Sequence, residues 1–316
     1  MKVTEHLAQA KRPLISFEII PPRRGGDVRA LMSLVEDLVK HRPPYIDITS
    51  HPAEIVYKDT ETGIQRRVVR KRPGTLGVCA LIQNKYEVDA VPHVLCRGFS
   101  REETEDFLIE LRYLGIENVL AVRGDDKGFQ KVLAHGRTSN DYAADLVRQI
   151  TRMNQGVYVD EEADNAPTSF CVGVSGYPEK HFEAPNLETD LRRVKEKVEA
   201  GAEYVVTQMF FKNEYYFRFV DACRASGITV PIIPGLKVLT GRDQVVSIPR
   251  TFHCEIPSEL SDEVAAATKP EHVREIGIKW ATAQARGLLD RGVPSLHFYV
   301  MQSAAAINGV MKNLAL

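Results

Sequence analysis

Short apolar runs rich in β-branched residues recur along the chain, and most are followed by a segment with apolar residues three and four apart. The runs fall at residues 14–20, 45–50, 88–96, 118–124, 171–177, 204–210, 231–237 and 295–301. Several are almost continuously apolar, as in Val119-Leu120-Ala121-Val122, which is how parallel strands covered on both faces read. The segments between them predict helices. Residues 27–41 carry Val28, Leu31, Leu34, Val35, Leu38 and Val39 on one stripe. Residues 100–114 open on a Ser-x-x-Glu capping box (Ser100, Glu103) and stop at Gly115. Residues 186–200, 213–226 and 271–291 each stop at a glycine by the same logic. The apolar run at 75–82 alternates poorly and is expected to be helical. Eight strands alternating with helices predict an α/β fold, a closed parallel (β/α)8 barrel spanning residues 1–316 as one domain. A doubly wound open sheet is the alternative, but neither Gly-x-Gly-x-x-Gly nor a P-loop occurs in the sequence.

Composition narrows the partners. With 41 Lys+Arg against 42 Asp+Glu, the chain lacks the field of a polyanion binder, so nucleic acid and acidic membrane are poor expectations. The start of the chain has no basic stretch followed by an apolar core, and no apolar run reaches about 18 residues, so neither a signal peptide nor a spanning helix is expected. Cys79, Cys96, Cys171, Cys223 and Cys254 are scattered, form no Cys-x-x-Cys pair, and read as reduced thiols of a cytoplasmic protein. No His/Cys/Asp/Glu spacing suggests a metal site. The longest irregular stretch, 154–169, reads as a solvated charged loop.

A parallel barrel places its chemistry at the C-terminal ends of its strands, which makes polar residues there the candidates. The first strand holds Glu18 among bulky apolar neighbours. Burial there should raise its pKa and suit a general acid; an outward Glu in a salt bridge is the alternative. The fourth strand runs into Arg123-Gly124-Asp125, with a carboxylate at the mouth. Thr49 ends the second strand, His93 lies on the third, Thr207-Gln208 on the sixth, and His297 and Tyr299 on the eighth. Asp190, Arg193 and Lys197 are spaced i, i+3 and i+7, which predicts one mixed-charge helix face suited to phosphate and sugar hydroxyls.

Seven of these segments, in order, resemble the methylenetetrahydrofolate reductase family. They are Ser16-Phe17-Glu18-Ile19-Ile20-Pro21-Pro22, Pro92-His93, Leu120-Ala121-Val122-Arg123-Gly124-Asp125, Tyr177-Pro178-Glu179-x-His181, Thr207-Gln208-Met209-Phe210-Phe211, Ile232-Ile233-Pro234-Gly235 and His297-Phe298-Tyr299. The resemblance implies a barrel that binds FAD at its mouth. It implies reduction of 5,10-methylenetetrahydrofolate to 5-methyltetrahydrofolate by NADH or NADPH, supplying methyl groups for methionine synthesis, in a self-associating protein. Glu18 then matches the acid that protonates folate N10, and Asp125 the carboxylate that stabilises the cationic iminium. Thr49, His93, Arg123, Gly124, Asp125, Ala143, Tyr177, His181, Ala184, Asp190, Arg193 and Lys197 match flavin contacts. Gln208, Gln244 and Tyr299 match folate or nicotinamide contacts. Against other members, Arg193 and Glu196 replace an Asn and a basic residue, Ile248 replaces an aromatic, and Ser303 an Arg. The eukaryotic members' C-terminal regulatory domain, and with it inhibition by adenosylmethionine, is not expected. Other flavin barrels, such as proline-dehydrogenase-like enzymes, and a non-catalytic flavin- or folate-binding subunit are the alternatives.

Overall fold

The strands, in chain order, are β1 (Leu14–Ile19), β2 (Tyr45–Ile48), β3 (Glu54–Thr60), β4 (Gly63–Val69), β5 (Asp89–Leu95), β6 (Asn118–Val122), β7 (Cys171–Gly176), β8 (Tyr204–Thr207), β9 (Ile232–Ile233), β10 (Gly235–Leu236) and β11 (Ser295–Met301). The helices are α1 (Val3–Gln9), α2 (Val28–Val39), α3 (Leu76–Tyr86), α4 (Arg101–Tyr113), α5 (Ala143–Asn154), α6 (Leu187–Glu199), α7 (Asn213–Ala225), α8 (Gln244–Phe252), α9 (Ser258–Ala266), α10 (Pro270–Asp290) and α11 (Ala305–Leu314). This computed structural model describes residues 1–72, 74–125, 131–160, 164–301 and 303–315.

Nine strands form one parallel sheet in the order β10-β11-β1-β2-β5-β6-β7-β8-β9. Its two ends are halves of one stave. Val205 and Val206 of β8 pair with Ile232 and Ile233 of β9, while Gly235 and Leu236 of β10 pair with His297 and Phe298 of β11. Pro234 lies between the halves and has no N–H to give to a ladder, so the strand expected at 231–237 is split there. Eight staves therefore close the (β/α)8 barrel. The main core lies between strands and helices; residues 76–82 fall in α3, with Thr75 as its N-cap, so the run is helical as expected.

Inside the barrel, the lower layer is apolar and aromatic: Tyr45, Val91, Leu120, Cys171, Tyr204, Val206 and Ile233 pack with Val3. Val3 comes from α1, which the sequence pattern did not reveal because its seven residues offer only Val3 and Leu7, four apart, too short a stripe to read. The Val3 N–H donates to Asn118 Oδ1 at 2.8 Å, and Asn118 Nδ2 donates to the Met1 carbonyl at 2.9 Å. His6 meets Asp89 at 2.7 Å, so α1 is tied under β5 and β6 as a floor.

Two expectations change. Residues 54–69 form an antiparallel hairpin, β3 and β4, in the connection between β2 and α3. It presents Tyr57, Ile64 and Val68 to solvent, and a ribbon with no well-buried face leaves no apolar alternation to read. The stretch at 154–169 is anchored rather than simply solvated. The Asp160 N–H donates to Glu105 Oε1 at 3.1 Å, Tyr158 Oη donates to the Ala166 carbonyl at 2.6 Å, and Thr168 Oγ1 donates to Asn154 Oδ1 at 2.6 Å. Glu161 and Glu162 of that stretch lie outside the described residues. All five cysteines are buried and free.

Candidate functional site

The upper half of the barrel interior is polar, because residues two apart on a strand share a face. From β1 come Ser16 and Glu18, from β2 Asp47 and then Thr49, from β5 His93, and from β11 His297 and Tyr299. Glu18 is level with Asp47 on one side and with Tyr299 on the other. Glu18 Oε2 lies 3.3 Å from His93 Nε2 and 4.0 Å from His297 Nε2. His93 Nε2 is also 3.8 Å from Asp47 Oδ2, and the Asp47 side chain is fully buried. His297 Nδ1 shares a 2.8 Å hydrogen bond with Ser16 Oγ.

The electrostatics correct the expected rise at Glu18. Burial does push its carboxyl up, but the neighbouring His93 and His297 outweigh burial and hold it down at about 2. In turn the two carboxylates hold His93 up at about 9 against its own burial. These shifts favour a carboxylate beside an imidazolium over a neutral acid. Sequence reading missed two members of this cluster. Asp47 sits inside the apolar run Tyr45-Ile46-Asp47-Ile48, the same signal that exposed Glu18. Lys237, just beyond β10, donates to the Tyr299 carbonyl at 2.8 Å; burial lowers it to about 8, with Glu18 opposing the shift.

A second cluster forms on the β6–β7–α6 side. Arg123 pairs with Glu183 at 2.6 Å, and Gly124 turns the chain at φ +87°, a conformation glycine supplies without strain. Asp125 follows, exposed at the mouth; residues 126–130 lie outside the described residues. The Tyr177 and His181 rings meet edge to face at 4.5 Å, and the His181 N–H donates to Asp190 Oδ2 at 2.9 Å. Lys197, buried, donates to the Ser175 carbonyl; burial lowers it to about 8 while Asp190 opposes. Arg193 departs from the predicted shared face. Asp190 and Lys197 turn inward, whereas Arg193 faces solvent, bonded to Glu196 at 2.8 Å and lying over the Tyr142 ring.

The other expected positions are more local. Thr49 is buried, with an unpartnered Oγ1. Ala143 begins α5, and the Ala184 carbonyl accepts from Lys180. Gln208 Oε1 accepts the Met209 N–H at 2.9 Å, while Gln244 Oε1 accepts the Thr240 and Gly241 N–H groups at 2.7 and 3.2 Å. Tyr299 Oη donates to the Thr207 carbonyl at 2.6 Å, and Ile248 is buried in an apolar cluster with Met209 and Phe211.

The family model for methylenetetrahydrofolate reductase matches residues 2–315. The chain belongs to the methylenetetrahydrofolate reductase family. A Caenorhabditis elegans relative, named probable methylenetetrahydrofolate reductase (NADPH), is 30% identical over 314 residues, 99% of this chain and 44% of its own length. Methylenetetrahydrofolate reductase (NADH) 1 of Zea mays is 30% identical over 337 residues, covering 100% and 51%. The chain thus spans about half the length of several curated relatives it matches. The Salmonella typhimurium 5,10-methylenetetrahydrofolate reductase is 30% identical over 292 residues, covering 92% of this chain and 86% of its own. A solved Clostridium thermocellum protein that binds two copies of 5-methyl-5,6,7,8-tetrahydrofolic acid has the same fold, with a TM-score of 0.58, 11% identity, and coverage of 99% and 97%. Among the described residues, no helix is long and apolar enough to cross a membrane.

Proposed function

We propose that this chain reduces 5,10-methylenetetrahydrofolate to 5-methyltetrahydrofolate, with bound FAD as carrier and NADH or NADPH as reductant, in the cytoplasm. The product is a methyl donor suited to methionine synthesis. The observation that carries this reading is Glu18, held between two imidazoles at the barrel mouth of a chain matched by the family model over residues 2–315.

The residues present fit a flavin dinucleotide. Thr49 offers a buried hydroxyl with no hydrogen-bond partner among the described residues. Arg123, Asp190 and Lys197 offer charges suited to a diphosphate and ribityl hydroxyls, and a diphosphate beside Lys197 would restore its buried charge. Tyr177, His181, Gly124, Ala143 and Ala184 would complete that side, with Arg193 reaching in only from the solvent face. Bound there, FAD supplies the hydride chemistry between nicotinamide and folate.

The protein's own part is protons, charge and position. Glu18 delivers a proton to folate N10, which opens the five-membered ring to an iminium on the substrate. Asp125 places negative charge at the mouth, where that cation is stabilised. Gln208, Gln244 and Tyr299 hold the folate or nicotinamide, the Tyr299 hydroxyl being fixed on the Thr207 carbonyl.

The purified chain should be yellow and release FAD on denaturation. Glu18→Gln should keep nicotinamide-driven flavin reduction and lose folate turnover by roughly 10²–10⁴-fold, the usual worth of a positioned acid. A colourless protein that FAD cannot reconstitute, or a variant with near-normal folate turnover, would overturn the reading.

A further inference from the structure

Between two imidazoles that hold its carboxyl down, Glu18 is poorly placed to keep the proton that this chemistry needs. The imidazole of His93 is placed to hold it. His93 Nε2 lies between two carboxylates, 3.3 Å from Glu18 Oε2 and 3.8 Å from Asp47 Oδ2, and its side chain is 10% exposed. Neither contact is an aligned hydrogen bond, so a small ring rotation brings one N–H onto either oxygen. Asp47 has no other cation set against it among the salt bridges of the described residues, and neither of its oxygens accepts a hydrogen bond. A buried carboxylate in that state is costly unless its neighbour carries a positive charge. Asp47 therefore favours an imidazolium at His93, and of the two carboxylates it is the more deeply enclosed, with no exposed side-chain surface against 13% for Glu18.

We propose that His93, backed by buried Asp47, is the proton store that recharges Glu18 for each ring opening. This rests on the folate reading above. In the step, the Nε2–H bond of His93 breaks as an O–H bond forms at Glu18 Oε2. The Glu18 O–H bond then breaks as N10–H forms. The bond from N10 to the methylene carbon breaks with its electron pair going to N10. Folate gains one proton, His93 is left neutral beside Asp47, and water returns the proton after product leaves. Asp47 never contacts substrate, so it is a positioning residue.

The groups facing this pair are known from each strand. Glu18 comes from β1, Asp47 from β2, and His297 and Tyr299 from β11. Lys237 approaches Glu18 from beyond β10, while Tyr45, Tyr204 and Cys79 lie around Asp47. On the β6 side the residue paired with His93 is apolar Leu120.

Nitrogen-15 NMR of histidine-labelled protein, with no folate present, should find His93 protonated through pH 8. It should titrate near 9. Asp47→Asn should lower that titration. The alkaline limb of the folate half-reaction should fall with it, by about tenfold in rate per unit on the alkaline side. Nicotinamide-driven flavin reduction should keep its pH profile. His93→Asn should abolish that limb, and because it leaves Glu18 and Asp47 without their imidazolium, circular dichroism first checks that the variant is folded. A limb that stays put while the His93 titration moves, or a His93 neutral at pH 8, overturns the proton store. Failure of the wild-type FAD-loaded protein to turn over folate overturns the underlying reading instead.

Discussion

At Gly235 the Tyr299 ring leans across the chain so that its hydroxyl reaches the Thr207 carbonyl. A Cβ at that position would lie 2.2 Å from the Thr207 oxygen and 2.6 Å from the Tyr299 ring. Backbone cannot give way there without opening the β9/β10 seam. Gly235→Ala should therefore cost roughly 1–3 kcal/mol, the range for overpacking a closed site, read from the urea midpoint at unchanged slope. An unchanged midpoint would show that the seam yields. The same scale explains what the sequence exposed. A carboxylate amid apolar neighbours marked Glu18, but its protonation was hidden, because the deciding charges arrive from β5 and β11, dozens to hundreds of residues away. Arg193 was misplaced for a related reason: spacing i+3 and i+7 narrows a helix stripe without saying which edge turns inward.

Elements were legible where one face is buried. The eight stave positions follow from apolar runs that must be covered on both sides, and the glycine-stopped helices follow from capping chemistry. The split of the seventh stave is a consequence of Pro234. The hairpin β3–β4 and the floor helix α1 were not legible, since one buries neither face well and the other has only Val3 and Leu7 as a stripe and leans on hydrogen bonds for the rest. That makes α1 sensitive to one side chain. Asn118→Ala removes the acceptor of the Val3 N–H and the donor to Met1. Leaving these backbone groups unpaired near the buried floor should cost about 1–3 kcal/mol and raise amide exchange across α1. Exchange of residues 3–9 as slow as in the parent would mean that Val3 packing alone holds the floor.

For the whole molecule, the charge cluster inside the barrel sets a pH window. Glu18 is held near 2 against an ordinary 4.5, so its share of stability is complete above pH 4.5 and is lost as pH falls toward 2. His93 is held near 9 against an ordinary 6.5, so its share is complete below pH 6.5 and is lost as pH rises through 9. Both contribute fully between pH 4.5 and 6.5. Lys197 and Lys237 run the other way. Each is lowered to about 8 by burial, so their penalty is present below pH 8 and lifts as pH rises from there toward 10.5. A Tm profile of the wild type alone mixes these opposing limbs. The difference in Tm between wild type and His93→Asn separates them, because the lysines are common to both. That difference should be greatest between pH 4.5 and 6.5 and should shrink on both sides, toward pH 9 as the imidazolium is lost and toward pH 2 as Glu18 takes its proton. A difference that stays constant from pH 4 to 9 would mean that His93 stabilises the barrel by packing alone, with no charge held against Glu18 and Asp47.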